Sequence, residues 1–142
     1  MKPSISLITL GVSDLERSLT FYRDGLGWQT KSKAEDGVVF IQLNNTVLGL
    51  FSRTELAKDA KIKDDHGSFD GITLAHNVDS KEEVDAVFQE MVDAGGTIVK
   101  KPEDVFWGGY SSYVTDPDGH LWEIAWNPFW KLDEKGTVSL GQ

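Results

Sequence analysis

An internal repeat constrains the fold of this chain more than any other feature. Residues 13–16 (SDLE) and 80–83 (SKEE) both match the capping box that opens a helix, and they begin 80 − 13 = 67 residues apart in a chain of 142 residues. In each half a strand-like run precedes the box, an apolar helical stripe follows it, and glycines end that stripe. The repeat therefore predicts two tandem copies of one strand–helix–strand unit.

The first copy begins with a strand over residues 5–12, in which apolar side chains alternate between two faces. The helix that follows is predicted to place four apolar residues on one stripe, namely Leu15, Leu19, Tyr22 and Leu26. Residues 37–43 and 46–51 are predicted strands, and the two asparagines between them indicate a hairpin turn.

The second copy follows the same plan. A strand over residues 71–78 leads into a helix whose stripe consists of Val84, Val87, Phe88 and Met91, and Gly95 and Gly96 end that helix. Three further strands are predicted at residues 97–100, 110–115 and 121–126. Strands and helices in this order are typical of an α+β fold.

Composition excludes several classes of protein. The formal net charge of −9 argues against nucleic acid and against anionic membrane surfaces as partners, because both are bound mainly through Lys and Arg. No apolar run approaches the roughly 20 residues that a membrane span needs. The chain has no cysteine, so it has neither disulfides nor thiolate chemistry. With no signal-like N-terminus, these observations predict a cytoplasmic location.

The stretch 115–126 (TDPDGHLWEIAW) is the strongest candidate for a functional element. The Asp116-Pro117-Asp118-Gly119 run predicts a turn, and a short apolar strand with a single acid, Glu123, follows it. A carboxylate in an apolar strand is costly to bury unless a cation, a metal or several donors meet it. Glu123 is therefore either a functional carboxylate or a residue on a solvated strand face.

Three stretches together resemble the vicinal oxygen chelate superfamily, which includes glyoxalase I, bleomycin-resistance proteins and extradiol dioxygenases. They are residues 12–27 (with Val-x-Asp-Leu, Phe-Tyr and Leu-Gly), the strand and capped helix of residues 71–96, and the turn with its glutamate at residues 116–123. The resemblance implies paired βαβββ modules that curl around a cleft, usually in a homodimer. Residues 107–110 (WGGY) and 127–130 (NPFW) are similar to those of a glyoxalase-like subgroup.

The domain boundaries that we predict follow from this resemblance and from the repeat. One glyoxalase-like domain covers residues 1–126, with module one at 4–53, a polar linker at 54–70 and module two at 71–126. The linker is predicted to contain a short helix at 54–61. Residues 127–142 form a tail that Pro128, Phe129 and Trp130 are expected to fasten to the body, and residues 137–140 are either an edge strand or disordered.

The resemblance also implies a divalent metal held by side chains of the inner strands. The family's glutamate matches Glu123, whereas its two histidines would fall at Leu7 and Thr73, and the remaining ligand near Gly49 or Leu50. Three of these four positions carry no good metal ligand, and a competent site needs at least three. We therefore predict no cofactor and no metal ligands, with a divalent metal as the disfavoured alternative.

The three histidines do not rebuild such a site. His120 is three residues from Glu123, so the two side chains point to opposite faces of a regular strand, and we expect His120 to face solvent. His76 shares its parity with the helix-covered face, where a hydrogen-bonded core or strand-end histidine is the expectation. His66 lies in a charged linker and is expected in a solvated loop.

The residues predicted to line the cleft are those that strand alternation places beside Glu123 or on the inner face of module one. Phe40 is assigned inward together with Gln42, because a polar side chain is poorly tolerated beneath a helix. Trp107 and Tyr110 are expected to form a mobile aromatic edge; for each aromatic, plain packing is an equally good interpretation. The full set of predicted ligand-binding residues is Leu7, Phe40, Gln42, Thr73, Trp107, Tyr110, Tyr113 and Leu121.

Two functions are compatible with these features. The first is a metal-free binding protein, similar to bleomycin-resistance proteins, that holds a planar or cationic small molecule with Glu123 as counter-ion. The second is a glyoxalase-like lyase or isomerase in which Glu123 is the catalytic base, or a residual metal ligand, although the sequence shows no second acid and no oxyanion donor. A third, structural interpretation is a domain whose cleft is filled by Leu7, Phe40 and Leu121.

Overall fold

The computed structural model describes residues 1, 3, 5–65, 67, 69–70 and 72–140, and these fall into two compact units, Met1–Asp70 and Gly71–Gln142. His66 and Gly71 lie outside the described residues, so the predictions that concern them have no structural counterpart. The elements of the first unit are β1 (Leu7–Val12), α1 (Leu15–Leu19), a π-helical turn (Thr20–Gly25), a 3₁₀ turn (Ala34–Asp36), β2 (Val38–Gln42), β3 (Val47–Ser52) and α2 (Arg53–Ala60). Those of the second are β4 (Leu74–Asn77), α3 (Lys81–Asp93), β5 (Thr97–Asp104), β6 (Tyr110–Thr115), β7 (Leu121–Trp126), β8 (Lys131–Leu132) and β9 (Val138–Ser139).

The sheet of the first unit has the order β1-β3-β2, in which β1 and β3 are parallel and β2 and β3 are antiparallel. One face of this sheet is buried with the helical segment, and its core residues are Leu10, Val12, Leu19, Phe21, Tyr22, Val39, Ile41, Leu48 and Leu50. The alternation predicted for residues 5–12 is confirmed, because Leu10 and Val12 are buried while Leu7 is exposed.

The helix of the first unit differs in detail from its prediction. Its N-cap is Asp14, whose carboxylate accepts a hydrogen bond from the Arg17 amide at 3.2 Å, so the capping box does not begin at Ser13. After one α-helical turn the backbone widens into a π-helical turn, and the Leu26 amide bonds to the Phe21 carbonyl at 3.0 Å. The wider turn buries Phe21 as well as Tyr22, which a stripe with a period of 3.6 residues does not predict.

Among its described residues, the first unit has no regular fourth strand beside β2. Two hydroxyl groups take its place: the Thr30 side chain donates to the Phe40 carbonyl at 2.5 Å, and the Phe40 amide donates to the Ser32 side chain at 3.1 Å. The βαβββ plan is therefore represented by three strands in the part of this unit that the structure describes.

The sheet of the second unit has the order β4-β7-β6-β5 and contains all four strands of the βαβββ plan. Helix α3 covers one face, where Val84, Phe88 and Met91 are buried together with the β7 residues Trp122 and Ile124. The N-cap predicted at Ser80 is confirmed, because its hydroxyl accepts from the Glu83 amide at 3.1 Å. The predicted bounds of β6 and β7 are confirmed, whereas β5 continues four residues beyond its prediction to Asp104.

The segments outside the two sheets agree only partly with the predictions. The helix expected at residues 54–61 is present as α2, one residue earlier at each end. In the tail, β9 pairs with β8 as a two-stranded ribbon. Pro128, Phe129 and Trp130 are all exposed, and the expectation that they fasten the tail to the body stays a prediction.

Candidate functional site

The turn before β7 is built around a buried carboxylate. Asp116 is 2% exposed, and its Oδ1 accepts hydrogen bonds from the amides of Asp118 and His120, each at 2.9 Å. Its Oδ2 lies 2.7 Å from Nδ1 of the His120 ring. Gly119 adopts φ of 86°, the left-handed conformation that the sequence predicted for it. The turn thereby fixes where β7 begins and which face each of its side chains occupies.

His120 belongs to this turn rather than to a metal site. Its side chain is 18% exposed and is held by Asp116, so the expectation that it faces solvent is wrong. His76 lies opposite Ile124 in the β4–β7 ladder, on the side of the sheet that α3 covers. His76 is nevertheless exposed, so it is a strand-edge and not a core histidine; partial desolvation of its ring lowers its pKa below the ordinary value, and the Glu90 carboxylate partly opposes this effect.

We call the face of the second sheet that lies opposite α3 the open face; four polar residues meet on it, namely Lys100, Ser111, Tyr113 and Glu123. Glu123 pairs with Tyr113 across the β6–β7 ladder, and the Tyr113 hydroxyl donates to Oε2 of Glu123 at 3.1 Å. This is the one hydrogen bond of the Glu123 side chain among the residues that the structure describes. Oε1 of a half-buried carboxylate is thus available to a donor from a ligand.

The Tyr113 hydroxyl is kept neutral by its surroundings. Burial raises the pKa of Tyr113, and the charge of Glu123 and its hydrogen bond raise the pKa further. The neutral Tyr113 hydroxyl is a hydrogen-bond donor, and the Glu123 carboxylate beside it is a hydrogen-bond acceptor. The sequence had indicated no second acid and no oxyanion donor beside Glu123, and the structure places the Tyr113 hydroxyl there as a neutral hydrogen-bond donor.

Lys100 is a member of this face that sequence reasoning missed. Its ammonium lies 3.2 Å from the Ser111 hydroxyl and 5.3 Å from the centroid of the Tyr113 ring. The strand that we predicted ended at residue 100, so the sequence did not show which β6 residue lies opposite Lys100. In the structure β5 continues along β6 and Lys100 pairs with Tyr113.

Other predicted ligand-binding residues lie elsewhere. Tyr110 lies on the face that α3 covers, where its hydroxyl donates to Asp85 at 2.7 Å, and this bond raises its pKa to about 12. It does not line the open face. Trp107 lies at the tip of the β5–β6 hairpin and covers the backbone of Gly109, which leaves no room for a Cβ there.

Leu121 and Thr73 stay close to the Glu123 strand. Leu121 shares the open face with Glu123 by strand alternation and pairs with Thr115. Thr73 is exposed and directly precedes β4, whose residue Ala75 pairs with Glu123.

The candidates of the first unit lie on the face of its sheet that is turned away from α1. Leu7 and Phe40 converge on Gly49, where an added Cβ would lie 3.3 Å from Leu7 Cδ1 and 3.6 Å from Phe40 Cε1. Gln42 is exposed, but its amide donates to the carbonyls of Leu43 at 2.6 Å and Thr46 at 3.3 Å. Its side chain therefore stabilises the β2–β3 turn.

A pocket of about 350 Å³ also lies in the first unit, and no predicted site residue lines it. It is bordered by α2, by Gly11 of β1 and by residues that follow α2. Arg53 forms an ion pair with Asp64 at 2.8 Å in its wall.

The donor set does not fit a divalent metal. Among the described residues there is no group of three or more His, Cys, Asp or Glu that would hold one. The polar partners nearest to Glu123 are a phenol and, one strand further, an ammonium, and neither is a ligand for a hard cation. In the described part of the chain no helix is long and apolar enough to cross a membrane.

Comparison with known proteins places these features in context. The family model for the Glyoxalase/Bleomycin resistance protein/Dioxygenase superfamily matches residues 4–124. A glyoxalase-related enzyme from Fulvimarina pelagi is 37% identical, with a TM-score of 0.86 over 96% of this chain and 97% of that one. A metallothiol transferase from Lysinibacillus sphaericus is 29% identical over 85% of this chain and 80% of the transferase.

A mycobacterial protein matches a shorter part of the chain. An uncharacterized protein from Mycobacterium bovis is 45% identical over 43 residues, which make up 30% of this chain and 28% of that protein. The match thus spans little more than a quarter of the mycobacterial relative.

Proposed function

The chain belongs to the glyoxalase/bleomycin resistance protein/dioxygenase superfamily, and from the arrangement of its open face we propose that it is a small-molecule-binding protein that works without a resident divalent metal. Its ligand is planar or cationic and binds on the open face of the second sheet. Glu123 is the polar anchor. Members of this superfamily share a fold whose functions differ, so the proposal depends on the site and not on the fold.

The observation that carries this proposal is the arrangement of the Glu123 carboxylate. Tyr113 holds Oε2 at 3.1 Å and thereby orients the group, while Oε1 has no hydrogen-bond partner among the described residues. A hydrogen bond from a cationic donor to such a carboxylate contributes about 1.5–3 kcal/mol. The Tyr113 ring and the Leu121 side chain add apolar surface on the same face.

Calorimetric titration with benzamidine, a planar cation, tests the proposal. We expect binding by the wild-type protein after dialysis against a chelator, and a loss of about tenfold or more in affinity for Glu123→Gln. Glu82→Gln is the matched control, because Glu82 is exposed in the first turn of α3 and should leave the affinity unchanged. Binding that requires added metal, or that is equal in both variants, would contradict the proposal.

A second candidate function is favoured by the Tyr113–Glu123 hydrogen bond. In a lyase or isomerase acting on an α-hydroxycarbonyl compound, Glu123 would take the proton from the hydroxyl-bearing carbon, so that the C–H electron pair forms a C=C bond and the carbonyl π pair moves to oxygen. The proton would then return to the former carbonyl carbon, and the hydroxyl proton would pass to the enediolate oxygen as the new carbonyl forms. The Tyr113 hydroxyl provides a neutral donor beside the base.

The first proposal predicts no turnover of methylglyoxal with glutathione. Absorbance of the thioester product would report such a reaction. A clear rate that disappears in Glu123→Gln and falls in Tyr113→Phe would favour the enzyme over the binding protein. Tyr110→Phe, on the other face of the same strand, is the control.

Assembly as a homodimer is proposed from family resemblance alone. Light scattering should then give about twice the chain mass of 15.8 kDa. A mass near that of one chain would refute the dimer.

A further inference from the structure

The side chain of Lys100 is placed unusually for a lysine on an edge strand. Its ammonium lies against the Ser111 hydroxyl at 3.2 Å, and Ser111 is only 6% exposed. The same ammonium lies 5.3 Å from the centroid of the Tyr113 ring. Two thirds of the Lys100 side chain is removed from solvent, whereas Lys101, the next residue, is exposed. A position of this kind costs side-chain entropy and part of the hydration of the charge.

The local backbone is shaped to produce this placement. The pairing of β5 with β6 is irregular on both sides of Lys100, between Ile98 and Lys100 and again between Lys100 and Glu103. Irregularities of this kind re-aim a side chain and are frequent next to active sites.

The partners of Lys100 among the described residues do not exhaust its hydrogen-bonding capacity. An ammonium has three donors, and Ser111 accepts one of them. Glu103 lies 3.6 Å away, beyond ordinary hydrogen-bond length, and its side chain is 61% exposed, so this ion pair contributes little. Donors of Lys100 are thus available to an anionic group of a ligand.

The spacing between Lys100 and Glu123 follows from the strand register. Lys100 pairs with Tyr113, and Tyr113 pairs with Glu123, so the three residues lie side by side on β5, β6 and β7. Neighbouring strands are about 4.8 Å apart, which places the backbones of Lys100 and Glu123 roughly 10 Å apart with the Tyr113 ring between them.

From this geometry, and resting on the proposed function, we propose that the ligand is a planar zwitterion. Its cationic end binds Oε1 of Glu123, its anionic end binds Lys100 and the Ser111 hydroxyl, and its apolar body lies along Tyr113. Lys100 is the residue that determines the preference for a ligand with an anionic group.

Three benzene derivatives test this proposal by calorimetry. Benzamidine carries only the cation, benzoate carries only the anion, and 4-amidinobenzoate carries both at opposite ends of the ring. We expect 4-amidinobenzoate to bind the wild-type protein about tenfold or more tightly than benzamidine, in line with one charge-assisted hydrogen bond. This advantage should persist in Lys101→Met and in Lys100→Arg, and disappear in Lys100→Met. Equal affinity for the two amidines, or an advantage that survives Lys100→Met, would overturn the proposal.

A separate measurement tests the anion subsite without the cationic anchor. In Glu123→Gln protein with ¹³C-labelled lysine, titration with benzoate should shift the Lys100 Cε resonance and leave that of Lys101 in place. Absence of this shift would overturn the anion subsite, even if benzamidine binds through Glu123. If benzoate shifts the Lys100 Cε resonance but the wild-type protein does not bind benzamidine, the anion subsite is upheld while the proposed function fails.

Discussion

In the first unit, the face of the sheet turned away from α1 brings Leu7 and Phe40 together at Gly49, and the nearest polar group there is the Thr9 hydroxyl. In the second unit, the corresponding face carries Lys100, Tyr113 and Glu123 in hydrogen-bonded or ring contact with one another or with Ser111. The two sheets share one strand plan, and both bury their helix-covered face. Because side chains alternate along a strand, the helix-covered face of each sheet is buried and stabilises the unit, whereas the residues on the opposite face can differ between the two copies.

The edges of the two sheets differ in the same way. In the second unit β5 is a full strand that brings Lys100 beside Tyr113. In the first unit the place beside β2 is taken by the hydroxyls of Thr30 and Ser32, which bond to the Phe40 backbone. Among the described residues, the first unit therefore has no strand beside β2 that could present a side chain as β5 presents Lys100.

The largest expected effect concerns the helical segments that stabilise each sheet. Phe21→Ala in the π-helical turn should lower the free energy of unfolding by about 3–5 kcal/mol, because the side chain is 1% exposed and its removal leaves a cavity. Urea denaturation followed by circular dichroism measures this loss. Phe106→Ala, at a fully exposed side chain of the β5–β6 hairpin, should change stability by less than about 0.5 kcal/mol. A loss at Phe21 as small as that at Phe106 would mean that the π-helical turn does not stabilise its sheet.

The turns that lead into the central strands give the next largest effect. Asp116→Ala leaves the amides of Asp118 and His120 without their acceptor in a buried turn and should cost about 1–3 kcal/mol. Asp133 makes a similar pair of bonds to the amides of Lys135 and Thr137 at 2.9 Å, but it is exposed.

The comparison of these two aspartates isolates the effect of burial. Thermal denaturation should show a clearly smaller loss for Asp133→Ala than for Asp116→Ala. The hydrogen bond from Thr137 lowers the pKa of Asp133, so its contribution is present above its unfolded pKa near 3.8 and is lost as pH falls through the lower folded value. Equal losses of thermal stability for both variants would show that burial does not determine how much this type of turn stabilises the folded state.

Much of the fold was predictable because it depends on local patterns. The alternation in β7 and the N-cap at Ser80 are set by neighbouring residues, and both are confirmed. The π-helical turn was not predictable, since a stripe of period 3.6 fits Leu15 and Leu19 equally well with or without it. The site was only partly predictable: Glu123 and Tyr113 follow from parity, whereas Lys100 depends on the irregular pairing of β5 with β6, and the bond of Tyr110 depends on the position of α3.

A smaller effect is expected at the edge of the first sheet. Thr30→Val removes the hydroxyl that donates to the Phe40 carbonyl and should cost about 0.5–1.5 kcal/mol, the usual net value of one hydrogen bond. Hydrogen exchange of the amides in β2 should become faster in this variant. Thr54→Val, at an exposed position of α2, should leave those amides unaffected. Unchanged exchange in Thr30→Val would mean that the hydroxyl does not substitute for a strand, and the contrast between the two edges would fail.

The smallest effect distinguishes the two faces of one strand. Tyr110 and Tyr113 are three residues apart on β6, and both have a raised pKa, but the first-ranked cause differs: a hydrogen bond to Asp85 for Tyr110 and burial for Tyr113. Asp85→Asn should therefore return the pKa of Tyr110 from about 12 most of the way to its ordinary value near 10. Glu123→Gln should lower the pKa of Tyr113 and still leave it above 10, because burial remains.

Each neutral phenol stabilises the folded state fully below its unfolded pKa near 10, and this stabilisation is lost as pH rises through the folded value. Titration of ¹³Cζ-labelled tyrosine by NMR measures both values. A Tyr113 pKa that falls to 10 in Glu123→Gln would show that the Glu123 carboxylate alone raises the pKa of the Tyr113 hydroxyl. It would also show that the open face is as well solvated as the surface of α3.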